Sequence, residues 1–180
     1  MDAVKSSEAV ISIGSALEMV LRPIGYVRTE FSDEEVKRSL SGVEAEIEVL
    51  EEFEKGLEGI EGFSHIIVLF YMHKAAGVEA PLKQRPRKLL RYGLTLEELP
   101  LVGVFCLDSP HRPNPIGMTV VELLERRGRR LRVRGLDAFD GTPVLDIKPY
   151  TPSRLVRDFR LPGWYEELLE RVRELGLSDL

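Results

Sequence analysis

The chain has 180 residues, of which 43% are hydrophobic and 31% are charged, and its formal net charge is −5. These values are ordinary for a globular protein with one core, and no apolar run reaches the roughly 18 residues that a membrane-spanning helix needs. The single cysteine, Cys106, excludes an internal disulfide and is expected to be a small core residue, because its neighbours are apolar. No Cys/His spacing suggests zinc, so no metal site is expected.

The N-terminal part is expected to contain a tail followed by two strands. Residues 1–20 carry no motif and are expected to form a tail with some helical character. They lack a basic leader, so a cytoplasmic protein without a signal peptide is expected. Residues 21–31 predict the first strand, and residues 32–40 predict a loop or a short helix. Residues 43–50, VEAEIEVL, alternate strictly, which predicts a half-buried antiparallel strand whose glutamates face water.

Three further strands are predicted in the middle of the chain. The continuous apolar run from His65 to Met72 has strand length and is expected to be central to the sheet. Residues 77–100 are expected to form a loop. Residues 119–125 and 129–136 are expected to pair as two strands around Gly128.

Residues 103–119, GVFCLDSPHRPNPIGMT, form the most constrained segment of the sequence. It is expected to begin as a strand. Each proline then fixes its own φ and disfavours helix at the residue before it, which holds Arg112 and Asn114 extended. Gly117 permits a conformation or a close approach that a side chain would forbid. Such a segment suits the binding of a small ligand, although a rigid turn at a sheet edge is an equal alternative.

A second distinctive segment spans residues 137–150, DAFDGTPVLDIKPY. Its Asp-Gly pair is a turn signal, and the residues that follow alternate as in a strand. Leu145 and Ile147 are expected on one face of that strand, with Asp146 and Lys148 on the other.

These two segments, together with residues 62–73, GFSHIIVLFYMH, resemble the TsaA-like family, whose characterised bacterial members are called TrmO. The resemblance covers roughly Leu21 to Tyr150 in matching order and spacing. It implies a mainly β fold, a small antiparallel β-barrel, working as a homodimer. It also implies an S-adenosylmethionine-dependent methyltransferase that acts on the exocyclic amine of threonylcarbamoyladenosine beside the anticodon of a tRNA. No G-x-G-x-x-G follows a strand, so a Rossmann-type methyltransferase is not expected.

The expected organisation is a tail (1–20), a barrel domain (21–150) and a C-terminal loop and helix (151–180). Apolar residues at helical spacing between Trp164 and Leu175 predict an amphipathic helix. We expect this helix to pack on the barrel or on a second subunit.

The candidate site residues follow from the matching segments. Asp137 and Asp140 are candidates for polar contacts to the cofactor or to the accepting amine, and hence for catalysis. In the family, the segment that corresponds to Leu40–Gly42 approaches the cofactor. The other candidates for cofactor contact are His73, Lys74, Asp108, Arg112, Asn114, Ile116, Gly117 and Met118.

Basic residues are concentrated late in the sequence, whereas acidic residues cluster between Glu44 and Glu61. A basic surface could therefore meet RNA phosphates despite the negative net charge. The alternative is that the two sets balance each other as solvated faces or ion pairs. The candidates for RNA contact are Arg85, Arg87, Lys88, Arg130, Arg132, Arg134 and Lys148.

One departure from the family pattern affects the functional prediction. Family members commonly have Thr-Arg before the serine of the proline-rich segment, where this chain has Leu107-Asp108. An anion in place of a cation would repel a carboxylate or phosphate, by roughly 1 kcal/mol or more in a partly dry site. Two alternatives therefore stay open, a cofactor-binding sensor without catalysis and a methyltransferase for another RNA or a small molecule.

Overall fold

The computed structural model describes residues 9–13 and 17–176, with side chains from residue 20 onwards. Its α-helices are α1 (Asp33–Arg38) and α2 (Gly163–Glu174). Its strands in chain order are β1 (Ala9–Ile13), β2 (Leu17–Leu21), β3 (Gly25–Arg28), β4 (Val43–Val49), β5 (His65–Tyr71), β6 (Lys83–Gln84), β7 (Val102–Gly103), β8 (Ile116–Arg127), β9 (Arg130–Leu136) and β10 (Pro143–Pro149).

Six strands close into a barrel in the order β10-β3-β4-β9-β8-β5, and every neighbouring pair is antiparallel. The strict alternation predicted for β4 is confirmed, because its four apolar residues are buried. The central position predicted for β5 is also confirmed, since it pairs with both β8 and β10. Ile47, Ile66 and Leu131 have no exposed surface and lie in the barrel core. The expectation of a mainly β barrel is therefore correct.

The predicted hairpin around Gly128 is present as β8 and β9. Gly128 has a φ of 58°, a left-handed conformation that favours glycine in tight turns. The predicted helix or loop before β4 is α1, which begins with a capping box. The Ser32 hydroxyl accepts from the Glu35 amide, and the Glu35 carboxylate accepts from the Ser32 amide at 2.8 Å.

The alternation predicted for the last barrel strand is wrong. A β-bulge in β10 shifts its register against β5 between Val144 and Asp146. Val144, which is fully buried, and Ile147 both face the core. The bulge places two residues between them instead of one. Leu145 is not part of the core cluster, because a bulge changes which face each following side chain meets.

The helical tail expected over residues 1–20 also differs from the structure. β1 and β2 form a separate two-stranded antiparallel sheet, with Ala9 opposite Leu21. Residues 1–8 and 14–16 lie outside the described residues. The predicted first strand is correspondingly shorter, because Leu21 belongs to β2 and β3 begins at Gly25.

The chain divides into two compact units. The first contains the barrel and comprises residues up to Ala76 and from Asn114 to Tyr150. The second comprises Gly77–Pro113 and the residues from Thr151 onwards. The proline-rich segment thus crosses from the second unit into the first.

The second unit has its own apolar cluster. Leu168 and Val172 of α2 are buried in it with four side chains from the segment expected to be a loop. These four are Leu89, Tyr92, Leu94 and Leu99. The predicted amphipathic helix is confirmed, but its packing partner is this cluster, because residues 87–92 form a 3₁₀ helix that carries apolar side chains.

Cys106 is exposed, contrary to the prediction of a core position. The strand predicted from Gly103 ends there, and residues 104–106 form a short 3₁₀ helix. This turn buries Val104 and leaves the ring of Phe105 76% exposed. An apolar run had suggested a core strand, but the chain changes direction within it.

Candidate functional site at one rim of the barrel

Five of the candidate residues lie at the same rim of the barrel. Because neighbouring strands are antiparallel, the ends of β3, β5 and β9 share this rim with the starts of β4, β8 and β10. His73 and Lys74 follow β5, Asn114 precedes β8, and Asp137 and Asp140 follow β9. Residues from three distant parts of the sequence are thus brought together by the barrel.

Lys74 is held by two partners at this rim. Its ammonium group forms an ion pair with Asp33, at the start of α1. It also lies 4.8 Å from the centre of the Phe139 ring, and the Lys37 ammonium lies 5.8 Å from the same ring. Both distances are within the range of cation–π interactions. Phe139 therefore links the end of β9 to α1 and to the residues after β5.

The two aspartates each bind a threonine and keep carboxylate oxygens at the surface. Asp137 accepts a hydrogen bond from the Thr119 hydroxyl, and Asp140 accepts one from the Thr29 amide at 3.1 Å. Both residues are exposed. An ionised carboxylate has about four acceptor positions, so each aspartate retains sites for hydroxyl or ammonium groups of a ligand.

His73 is partly buried beside Lys74. Burial lowers the pKa of its imidazole, and the positive charge of Lys74 lowers the pKa further, while Asp33 and a backbone hydrogen bond to Tyr71 act in the opposite direction. The neutral imidazole is therefore favoured, which provides one donor and one acceptor rather than two donors.

The start of β8 packs closely against β5. Gly117 lies opposite Phe70, and a Cβ atom at Gly117 would overlap the Phe70 ring. The predicted close approach at Gly117 is present, and the protein's own ring fills the space. Met118, the next residue, points away from the core and is 67% exposed. Just before the glycine, the Ile116 amide donates to the Asn114 carbonyl at 2.7 Å.

The remaining candidates for cofactor contact, Asp108 and Arg112, belong to the second unit. The Arg112 guanidinium donates to the Leu107 carbonyl at 3.0 Å, so Arg112 holds the backbone of the segment that precedes it. Asp108 is exposed and makes no hydrogen bond or ion pair with any residue that the structure describes. The departure from the family pattern is thus a free carboxylate at the surface of this unit.

Gln84 of β6 holds the same segment from the side. Its amide nitrogen donates to the carbonyls of Pro81 and His111, and its amide oxygen accepts from the Ser109 hydroxyl at 2.6 Å. The backbone of Gln84 pairs with Val102 in β7. One residue therefore fixes both ends of the loop 103–110. Nothing in the sequence pattern indicated this role.

Most of the cations predicted to contact RNA already have acidic or carbonyl partners. Arg134 contacts Glu44 at 2.8 Å and Glu122 at 2.9 Å, and Arg130 lies 3.6 Å from both Glu46 and Glu48. These contacts exist because β4 and β9 are neighbours, with each glutamate directly opposite an arginine, including Glu46 opposite Arg132. The ion-pair alternative to a phosphate stripe therefore describes this face of the barrel.

The other cations predicted to contact RNA differ from one another. Lys148 pairs with Asp146, and Arg85 donates to the Leu99 carbonyl. Arg87 and Lys88 are exposed and make no ion pair within the described part of the chain. RNA contact at all seven residues stays a prediction.

Sequence reasoning missed Asp33, Lys37 and Phe139 as members of the rim. Phe139 lies within a segment that was singled out, but its ring was given no role. The S-x-x-E pattern from Ser32 to Glu35 marks the helix that carries both Asp33 and Lys37, although it does not reveal what they contact.

Two negative findings concern the described residues only. No helix among them is long and apolar enough to cross a membrane. Within residues 9–13 and 17–176, no group of three or more His, Cys, Asp or Glu side chains has an arrangement that could hold a metal ion.

Fold and rim together define a small closed antiparallel barrel with carboxylate, amide, imidazole and ammonium groups at one end. Residues 28–154 match the family model described as the tRNA-methyltransferase O N-terminal domain. The chain belongs to this family, and the resemblance inferred from its sequence segments is confirmed.

The chain is also similar to individual proteins of known sequence or structure. It is 41% identical over 167 residues to a probable S-adenosyl-L-methionine-binding protein of Pyrococcus abyssi, covering 89% of this chain and 85% of that protein. It is 34% identical over 171 residues to the tRNA (adenine(37)-N6)-methyltransferase of Rattus norvegicus, covering 89% of this chain and 37% of that one. The crystal structure of TrmO from Pseudomonas aeruginosa superposes with a TM-score of 0.58 at 33% identity, covering 80% of this chain and 61% of that chain. The chain thus spans less than two thirds of the rat and Pseudomonas proteins.

Proposed function

We propose that this protein binds S-adenosylmethionine at the rim described above and methylates the exocyclic amine of an adenosine beside the anticodon of a tRNA. The proposed substrate carries the threonylcarbamoyl modification, and the proposed working form is a homodimer in the cytoplasm. The observation that carries this proposal is the convergence of His73, Lys74, Asn114, Asp137 and Asp140 at one rim of a barrel of this family.

The chemistry of the rim fits the polar groups of the cofactor. The Lys74 ammonium suits the cofactor carboxylate, and the carboxylates of Asp137 and Asp140 suit its ammonium and ribose hydroxyl groups. The Asn114 amide can both donate to and accept from an adenine edge. The contact that Lys74 already makes with Asp33 holds its side chain in place for this role.

When bound, S-adenosylmethionine supplies an electrophilic methyl group on a sulfonium. The protein then needs to align this group with the accepting amine, and orientation can contribute up to about 7–11 kcal/mol in the best cases. No nucleophile from the protein is required. The residues at the rim are therefore proposed to act mainly by binding and positioning.

Asp137 and Asp140 are the proposed catalytic residues. Positive charge develops on the amine during transfer, and a nearby carboxylate would stabilise this charge and accept the departing proton. The hydrogen bonds from Thr29 and Thr119 orient the two carboxylates before a substrate arrives. Such preorganisation avoids the cost of reorienting them during the reaction.

The homodimer is supported by the outer surface of β8. Met118 and Val120 point outward, are 67% and 43% exposed, and lie opposite Leu69 and Ile67 on β5. The two exposed apolar side chains on β8 favour burial against another surface. Sedimentation of the unaltered protein beside Met118→Glu would test this, and a monomer in both cases would contradict it.

Calorimetric titration with S-adenosylmethionine would test the cofactor site. We expect Asn114→Ala and Asp137→Asn to weaken binding, because the first removes an amide group at the rim and the second removes a negative charge. Arg127→Gln is the matched control, since Arg127 ends β8 at the opposite rim and is exposed. An absence of binding near millimolar ligand, or equal weakening in the control, would contradict the proposed site.

Methyl transfer from labelled cofactor to tRNA would test the reaction. Transfer to tRNA that carries threonylcarbamoyladenosine, with little transfer to unmodified tRNA, would support the proposed substrate. Transfer only to other RNA or to small molecules would contradict it.

A cofactor-binding sensor is the second candidate, and the free carboxylate of Asp108 favours it. Asp108 stands where the family commonly has a cation. That cation would attract a carboxylate or a phosphate, whereas Asp108 would repel it. Cofactor binding without transfer to any tRNA would support the sensor. If methyl transfer to tRNA instead rises in Asp108→Arg, Asp108 alone accounts for the weak transfer of the unaltered protein.

A further inference from the structure

The segment between β10 and α2 contains three exposed arginines of the second unit. Residues 152–160, PSRLVRDFR, are all exposed, and we call them the basic segment. Arg154, Arg157 and Arg160 make no ion pair with any residue in the described part of the chain, and the segment contains one acid, Asp158. Three guanidinium groups therefore face water without a carboxylate partner.

Apolar side chains are exposed between these arginines. Val156 is 68% exposed, Phe159 is 67% exposed and Leu155 is 49% exposed. Single exposed apolar residues are ordinary, but three within five residues indicate a surface that contacts another molecule. Neither of the two apolar clusters of the described chain includes any of them.

We infer that the basic segment is a surface for binding RNA, with arginines on phosphates and a base stacked on Phe159. This inference rests on the proposed function, because it assigns the surface through which a tRNA would be held. Guanidinium groups form paired hydrogen bonds with phosphate oxygens, and aromatic rings stack with bases of any sequence.

The comparison with β9 explains why this surface is favoured over the arginines of the barrel. A phosphate that approached Arg134 would displace or approach Glu44 and Glu122, which already neutralise it. A phosphate at Arg157 displaces only water and counterions. Counterion release is the main source of affinity for nucleic acids, so unpaired cations contribute more to it than paired ones.

A second copy of the chain is the competing occupant. The acidic 3₁₀ helix Glu51–Leu57 could offer its carboxylates to the same arginines. The exposed ring of Phe159 favours RNA, because the one aromatic side chain of that acidic helix, Phe53, packs against the barrel core. Self-association is therefore a separate outcome of the experiment rather than part of the inference.

The experiment measures binding of a fluorescent anticodon stem-loop RNA without cofactor, over a series of salt concentrations. Replacement of all three arginines, Arg154→Gln, Arg157→Gln and Arg160→Gln, is expected to lower affinity about 10- to 100-fold near physiological salt and to reduce the salt slope by about 2. Phe159→Ala is expected to lower affinity roughly 5- to 100-fold with an unchanged salt slope. Asp158→Asn removes the one opposing charge and is expected to raise affinity.

Comparator variants make the result specific. Arg130→Gln with Arg134→Gln is expected to lower affinity less than the variant of the basic segment, and thermal unfolding checks that every variant folds. An equal or larger loss in the β9 variant would overturn the inference, as would an unchanged affinity in the basic-segment variant. A loss of RNA binding in the basic-segment variant would support the surface. If the unaltered protein also transfers no methyl group to tRNA, the proposed reaction is contradicted while the surface still stands.

Two other outcomes also decide the matter. If the unaltered protein binds no RNA, both the surface and the tRNA substrate are contradicted, whereas calorimetry with the cofactor still tests the rim. If sedimentation shows that the three arginine replacements abolish a dimer while RNA binding persists, the segment binds a second copy and the inference is overturned.

Discussion

Replacing Gln84 should loosen the proline-rich segment while leaving the barrel intact. The Gln84 side chain makes three hydrogen bonds, two to carbonyls and one to the Ser109 hydroxyl. Gln84→Met keeps a side chain of similar length and removes all three. A neutral hydrogen bond contributes about 0.5–1.5 kcal/mol net, so the local stability of the segment should fall by about 1.5–4.5 kcal/mol. The apolar cluster around α2 does not include Gln84, so global unfolding should change much less.

Hydrogen exchange of backbone amides would measure this local effect. The His111 amide donates to the Ser109 hydroxyl at 3.3 Å, and the Leu107 amide donates to the Val104 carbonyl at 3.2 Å. Both should exchange about 10- to 1,000-fold faster in Gln84→Met, because a tenfold change corresponds to about 1.4 kcal/mol. Amides of β4 should exchange as before.

Lys83→Ala is the matched control, since Lys83 lies beside Gln84 in β6 and its side chain makes no hydrogen bond or ion pair within the described residues. Unchanged exchange at His111 in Gln84→Met would refute the reasoning, because the three hydrogen bonds would then not hold the segment. If the segment also contacts the cofactor, the apparent affinity should be the intrinsic affinity multiplied by the fraction of molecules in which the segment is ordered.

Three further predictions concern the barrel unit. The imidazole of His73 should titrate below the ordinary value of about 6.5 by NMR, because burial and Lys74 disfavour its charged form. Its folded-state pKa is lowered, so stability should fall as the pH drops below about 6.5 and protonation favours the unfolded chain; a pH profile that is identical in His73→Gln would contradict this. Gly117→Ala should destabilise the protein by about 1–3 kcal/mol in chemical denaturation, because the added methyl group overlaps the Phe70 ring. A double-mutant cycle on Arg134→Gln and Glu44→Gln should show a favourable coupling that disappears at high salt, and a salt-independent coupling would argue against a surface ion pair.

The parts of the fold that sequence reasoning predicted correctly have local or periodic causes. β4 alternates with period two, so its buried and exposed residues follow from the pattern itself. The β8–β9 hairpin and α2 likewise follow from a turn residue and from helical spacing. β10 fails the same test, because a bulge shifts the register by one residue without any change in the local pattern.

The site could be predicted only as far as the matching segments extend. His73 and Asp140 lie inside those segments, and the structure places both at the rim. Asp33 is 41 residues from its partner Lys74, and Gln84 is 25 residues from Ser109. Such pairs arise from tertiary packing, which no periodicity within a single sequence reveals.

Spatial pairing of strands, rather than net charge or charge order along the chain, determines which cations are available to a ligand. Acidic and basic residues are separated in the sequence. The pairing of β4 with β9 nevertheless brings glutamates directly opposite arginines, so that their charges balance. Arg154, Arg157 and Arg160 of the basic segment have no facing strand and make no ion pair within the described residues. A chain with a net charge of −5 can therefore present a basic surface, because the glutamates of β4 already face arginines of β9.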